Sequence, residues 1–218
     1  DYLYVIEDGS IDTLVYDADN YEEMAAALKD RAPGLRHLLA MGQSAVGTDI
    51  IAAAAGFAPR PLVAPVVDVE ALSRIAYSGG TTGKPKGIMT SHRNSAVSAM
   101  IQLMSWEWPK DVRHLVCAPL SHAGASVLTS VLVLDGSMVV LPGFDPVGVM
   151  QAIEQHRITS VLMVPTMVLA LIDHPRFGEF DLSSLEVIFY GASAFPPSRL
   201  KEAIAKLGSI FFQFYGQG

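Results

Sequence analysis

The sequence predicts an α/β protein of layered, mostly parallel sheets with helices packed on their faces. Three observations point there. Apolar runs of about five to seven residues alternate with helix-length segments, the usual sign of strands and covering helices. Half of the 218 residues are apolar and only 17% are charged, so much of the chain has to be interior. The strand–helix–strand–helix succession beyond residue 112 calls for parallel neighbours joined by right-handed crossovers.

Taken in order, Ile11–Tyr16 is the first expected strand. Asn20 is placed to cap a helix, with Glu23 three residues on, that runs towards Asp30 and is stopped by Pro33-Gly34. Leu35–Met41 follows as a strand and Thr48–Ala55 as a short alanine-rich helix. Pro59, Pro61 and Pro65 then make an extended connector. The expected organisation is an N-terminal α/β portion with this connector over 1–66 and a core subdomain over 67–218.

Ile75–Tyr77 and Gly87–Thr90 are expected strands on either side of a glycine-rich loop. From Asn94 to Ser105, Ala96, Val97, Met100, Ile101 and Met104 recur near helical spacing. His114–Ala118 reads as a strand ending in Pro119-Leu120-Ser121-His122, with Gly124 opening a helix. Ser137–Leu141 is a strand, Asp145 caps a helix to His156, Ser160–Val164 is a strand stopped by Pro165, and a helix runs from Thr166 through Ile172. Glu186–Tyr190 is a strand, Gly191–Ala194 a small-residue turn, Pro197 the start of a helix ending near Gly208, and Ile210–Tyr215 the last strand. Ligands on parallel sheets gather beyond the carboxyl ends of strands, which singles out 119–124, 191–193 and 215–218.

Composition narrows the function. A net charge of −7 gives no footprint for nucleic acid. The single cysteine, Cys117, cannot form an internal disulfide, and its apolar neighbours suggest a buried thiol in a reducing compartment. Leu115–Leu134 is uncharged, but Pro119, Ser121 and His122 interrupt it and Asp135-Gly136 follow, so a buried core is expected there and not a membrane span. No secretory signal pattern opens the chain, and a cytoplasmic location is expected, with peripheral membrane association left open. Ser126 and Ser193 lack the second glycine of a nucleophile elbow, and the scattered histidines form no pair at metal-ligand spacing.

The segment that carries chemistry is Ile75–Gly87, Ile-Ala-Tyr-Ser-Gly-Gly-Thr-Thr-Gly-Lys-Pro-Lys-Gly. Its glycines let backbone N–H groups turn onto an anion, its hydroxyls add donors, and its lysines add point charges. A Walker A loop is excluded: Ser78 stands where its first glycine belongs, and Pro85, without N–H or hydroxyl, follows Lys84.

From Ser78 to Gly87 the segment resembles the signature loop of the adenylate-forming (ANL) superfamily: acyl-CoA synthetases, luciferases and nonribosomal-peptide adenylation domains. Pro119-Leu120-Ser121-His122 resembles that family's Pro-Leu-Phe/Ser-His element, and Tyr190-Gly191-Ala192-Ser193 its Gly-Gly/Ala-Ala/Ser turn. Phe214-Tyr215-Gly216-Gln217 resembles the start of its Tyr-Gly-x-Thr-Glu motif, with Gly218 in the place of the threonine.

The resemblance spans nearly the whole chain and is densest from Ile75 onward. It implies a fragment of the large N-terminal domain of a fatty acyl-CoA synthetase, or long-chain fatty-acid–CoA ligase, using ATP with Mg2+ and CoA as co-substrate. It places the ATP phosphates on Ser78, Gly79, Gly80, Thr81, Thr82 and Gly83, with Lys84 and Lys86 as charge partners; Lys86 matches the family lysine and Lys84 a variable position. It places adenine on Ala192, Ser193, Tyr215 and Gly216, and the acyl and CoA pocket at His122 and Gly191. It puts no catalytic residue and no metal ligand inside the chain, so the chain alone is expected to be inactive. Two rivals stand beside it. One is an amino-acid adenylation or aryl-CoA ligase domain, disfavoured by the uncharged run from Ala123 to Leu134; the other is a nucleotide-binding protein without chemistry.

Overall fold

Near-continuous apolar strands and proline-marked helix starts give the chain its layers in a computed structural model, which describes residues 2–61, 63, 65–77, 84–120 and 123–216. These residues divide into two compact units, 1–93 and 94–217.

The first unit opens with a helix that the sequence reading left unassigned, α1 (Tyr2–Asp8). It continues with β1 (Thr13–Asp17), α2 (Ala18–Arg31), β2 (His37–Met41), β3 (Thr48–Asp49), α3 (Ile50–Ala55), β4 (Leu72–Tyr77) and β5 (Gly87–Ser91). Strands β1, β2 and β3 form a parallel sheet in that order. Leu38 and Ala40, two apart on β2, join Ile6, Tyr16, Ala25 and Leu28 in one buried cluster. Asp17, and not Asn20, caps α2. Its carboxylate accepts from the Asp19 amide at 3.1 Å and from Asn20 Nδ2 at 2.6 Å, so the cap sits at the strand end itself. The expected helix at Thr48 starts two residues later, because Thr48–Asp49 pairs with β2 and Asp49 then caps α3 through the Ile51 and Ala52 amides. Among the described residues no helix or strand lies between Ala55 and Leu72, in keeping with three prolines there. Strands β4 and β5 pair antiparallel, with Tyr77 opposite Gly87.

The second unit carries most of α4 (His92–Ser105), then β6 (Arg113–Val116), a 3-10 turn (Ala123–Ala125), α5 (Leu128–Val133), β7 (Ser137–Val140), α6 (Pro146–His156), β8 (Ser160–Met163), α7 (Pro165–Ile172), β9 (Val187–Tyr190), α8 (Pro197–Leu207) and β10 (Phe211–Gln213). Five parallel strands run in the order β10-β9-β8-β6-β7. Strands β8 and β9 are buried at every position, as central strands covered on both faces should be. Val161, Met163 and Ile188 face one way, onto Val149, Met150 and Ile153 of α6 and Val168, Leu171 and Ile172 of α7. Leu162, Val187 and Phe189 face the other way, onto Val127, Val131 and the rings of Trp106, Trp108, Phe212 and Phe214.

Asp145 caps α6 as expected, accepting from the Gly148 amide at 2.7 Å. Helix α4 starts at His92 instead of Asn94, and its apolar spacing does not mark the core face: Met100, Ile101 and Met104 are exposed, whereas Ala99 and Gln102 are buried. Gln102 tolerates burial because both ends of its amide are bonded, Nε2 to Ser126 O at 3.0 Å and Oε1 from Ser130 Oγ at 2.6 Å. His114 is buried in β6 with Nδ1 2.9 Å from Ser160 Oγ, and burial pushes its pKa down to about 4. Cys117 is buried as expected, and the same desolvation pushes its thiol up to about 11, far from a reactive thiolate.

Candidate functional site

Strand register levels the carboxyl ends of the five-stranded sheet. Leu115 pairs with Val161, Val161 with Ile188, and Ile188 with Phe211. Three residues further along, Ala118, Val164, Gly191 and Phe214 leave the sheet at the same height. With neighbouring strands about 5 Å apart, the 191–193 turn and the 214–216 segment emerge side by side, and Ala118 leaves the sheet two strands away.

The pairing of these two exits is enforced sterically. The Phe214 amide donates to Tyr190 O at 3.0 Å, and a Cβ on Gly191 would stand 2.7 Å from Phe214 O and 2.9 Å from its ring, so a glycine is required there. Ala192 follows with φ +66°, a left-handed conformation that costs a non-glycine residue about 1 kcal/mol and that collects at ligand sites. Ser193 is exposed, and Tyr215 presents 91% of its surface. Beneath them Trp106 stacks on Phe214 at 5.3 Å and packs against Phe189 at 4.8 Å, which gives the edge an aromatic footing. A rim of exposed backbone beside an exposed ring can take a flat heterocycle by stacking and by amide hydrogen bonds.

After β6 the chain folds back on itself. The Gly124 amide donates to Pro119 O at 3.2 Å, and a Cβ there would stand 2.4 Å from Ala118 O, so this turn also needs a glycine.

In the first unit, β4 and β5 form the stem of a hairpin whose connection is 78–86. Gly87 is again a matter of space, since a Cβ would stand 2.9 Å from Ile75 Cγ2 and 3.3 Å from the Tyr77 ring. Lys84 is exposed, with Nζ 5.3 Å from the centre of the Tyr4 ring. Lys86 is exposed one residue before β5. The Tyr77 hydroxyl donates to Asp8 Oδ2 at 2.7 Å, and that bond, ahead of desolvation and the carboxylate's charge, pushes the phenol up to about 12.

The structure thus brings Gly191, Ala192, Ser193, Tyr215 and Gly216 to one sheet edge, as the strand-end rule requires. Lys84 and Lys86 belong to the other unit. Ser78, Gly79, Gly80, Thr81, Thr82 and Gly83, together with His122, lie outside the described residues. Among the described residues no group of three or more His, Cys, Asp or Glu is placed to hold a metal ion. Sequence reasoning gave no part to Tyr4 or Asp8, and it named Phe214 only as the residue before Tyr215, without its packing on Gly191. Asp8 is 69 residues from Tyr77, and nothing local to either signals the pair.

The family described as "AMP-binding enzyme" matches residues 1–218. The medium/long-chain-fatty-acid–CoA ligase FadD8 of Mycobacterium tuberculosis is 44% identical over 223 residues, covering 100% of this chain and 39% of that protein. A feruloyl-CoA synthase of an Amycolatopsis species is 36% identical over 152 residues, 69% of this chain and 31% of that protein. Among solved structures, the amide bond synthetase McbA of Marinactinospora thermotolerans aligns with a TM-score of 0.86 at 28% identity, over 99% of this chain and 42% of that one. The chain spans about two fifths of the length of FadD8 and of McbA.

Proposed function

The chain belongs to the AMP-binding enzyme family, and on that premise we propose that it forms the nucleotide-binding part of an AMP-forming acid–CoA ligase whose acid is a fatty acid. A carboxylate oxygen attacks the α-phosphorus of MgATP, the bond to pyrophosphate breaks, and acyl-AMP forms. The CoA thiol then attacks the acyl carbon, loses its proton and expels AMP. Displacement at phosphorus asks the protein mainly to position groups and to stabilise charge.

The observation that carries this reading is the pairing at the sheet edge, where Gly191, Ala192 and Ser193 emerge beside Tyr215 and Gly216. In the reading Tyr215 stacks on adenine, while Ala192, Ser193 and Gly216 offer it backbone groups. Ser78–Gly83 enclose the β- and γ-phosphates, and Lys84 and Lys86 supply charge. His122 and Gly191 border the acyl and CoA pocket. In the reading magnesium enters with ATP, as the MgATP complex. Residues 1–66 act as an N-terminal portion and 67–218 as the ATP- and acyl-binding core.

A fatty acid is favoured by similarity to a protein named as a medium/long-chain-fatty-acid ligase and by the uncharged run 123–134. An aryl acid is the second reading, favoured by the likeness to a feruloyl-CoA synthase. Among the described residues no helix is long and apolar enough to cross a membrane. The proposed location is the cytoplasm, with peripheral membrane association left open.

Calorimetric titration tests the reading. The chain should bind a non-hydrolysable acyl-AMP mimic more tightly than ATP, and a fatty-acyl mimic more tightly than an aryl one. Equal affinity for ATP and for every acyl conjugate would leave only a nucleotide binder. In ATP–pyrophosphate exchange with mixed fatty acids the chain by itself should stay at background, and clear carboxylate-dependent exchange would refute that part.

A further inference from the structure

Tyr77 and Lys84, the described residues on either side of 78–83, both contact α1. Tyr77, the last residue of β4, donates its hydroxyl to Asp8 Oδ2 at 2.7 Å, and its ring meets that of Tyr4 edge-on with centres 6.3 Å apart. On the other side Lys84 Nζ lies 5.3 Å from the centre of the Tyr4 ring, within cation–π range. Tyr4 and Asp8 are four residues apart in one helix, so one face of α1 presents both, and the Tyr4 hydroxyl itself reaches Asp8 Oδ1 at 3.4 Å.

Two glycines keep this approach open. A Cβ on Gly9 would stand 3.3 Å from the Tyr77 hydroxyl and 2.9 Å from Val5 O, and Gly87 lies against the Tyr77 ring as described above. The attachment is needed because burial contributes little. The first three residues of β4 are exposed and the last three only half-buried. A hydrogen bond from a phenol to a carboxylate is charge-assisted and roughly twice as strong as a neutral one.

We propose that Asp8 and Tyr4 are positioning residues for the phosphate-binding segment, holding Tyr77 and Lys84 on either side of 78–83 ready for the triphosphate of MgATP; this rests on the phosphate reading above. Glycines lose more conformational freedom on ordering than other residues, so the stretch 78–83, with three of them, binds an anion weakly unless the residues flanking it are already held. The carboxylate that does the holding touches two phenols. It therefore acts through Tyr77, and it is not a ligand of the phosphates.

Titration with MgATP, paired with amide hydrogen exchange of the stem residues 76, 77, 87 and 88, tests the role. Asp8→Ala and Tyr77→Phe should each weaken MgATP binding by about fivefold to tenfold and speed exchange at the stem, and the double variant should be no weaker than either alone. Asp8→Asn keeps an acceptor oxygen and should restore binding to within about twofold of wild type. Should Asp8→Ala fail to fold, Tyr77→Phe and Asp8→Asn carry the same comparison. Unchanged MgATP affinity and stem exchange in Tyr77→Phe would overturn the positioning role while leaving the phosphate reading standing. A wild-type chain that binds MgATP no more tightly than adenosine would overturn the phosphate reading and this role with it.

Discussion

The two regions assigned to the nucleotide are held in opposite ways. The 191–193 turn stands on a sheet whose strands β8 and β9 are buried at every position, and its partner Phe214 is wedged between Gly191 and the Trp106 ring. The hairpin that leads to the glycine-rich segment is half-exposed, with a hydrogen bond from Tyr77 to the Asp8 carboxylate and ring contacts to Tyr4. Packing fixes the first surface and polar attachment fixes the second. That division suits a flat, rigid base and a flexible polyanion, because stacking rewards a surface already in place whereas a triphosphate has to be wrapped.

The contrast can be broken first by truncating one apolar side chain in each region. Phe189→Ala removes a fully buried ring from among Trp106, Trp108 and Phe212 and should cost about 3–5 kcal/mol in urea unfolding. Leu72→Ala, on the half-exposed β4, should cost well under about 1 kcal/mol. Comparable losses at the two positions would show that the regions are not held differently.

Acid is the next probe. His114 has a folded pKa of about 4 against 6.5 for the free side chain, so its neutral form is the one that folds. Its contribution is complete above pH 6.5 and is lost as pH falls from there through 4, in all about 3 kcal/mol. His114→Asn should therefore flatten the fall in stability across that window. An unchanged slope would mean that His114 already accepts a proton in the folded sheet.

A smaller effect is expected at the turn itself. Gly191→Ala forces a Cβ against the backbone oxygen of Phe214 and should cost about 2 kcal/mol, while Trp106, packed on that phenylalanine, changes its fluorescence.

How far the residues announced these features depended on whether the cause was local. Strands β8 and β9 were legible because fully buried strands are short apolar runs, and α6 because Asp145-Pro146 is an unambiguous start. The cap of α2 was misplaced by three residues, since Asp17 and Asn20 are both good caps and the strand end favours the first. The α4 pattern misled because its apolar residues are exposed and a satisfied Gln102 is buried, a matter of what Ser126 and Ser130 offer from another part of the chain. At the candidate site, Gly191 and Tyr215 were legible as strand-end residues, and the need for glycine at 191 became visible only with Phe214 in place. Asp8 could not be read at all, because α1 carries no sequence mark of the strand it braces.

The most direct test of the central claim, that a nucleotide rests on the sheet edge at Tyr215, is the affinity of the chain and of its Tyr215→Ala variant for the acyl-AMP mimic. The side chain is 91% exposed, so its removal should leave the unfolding midpoint in place. Loss of a base–aromatic stack is worth about 1–3 kcal/mol, so binding should weaken by at least about fivefold. Equal affinity of the two proteins, or no binding by either, would contradict the account.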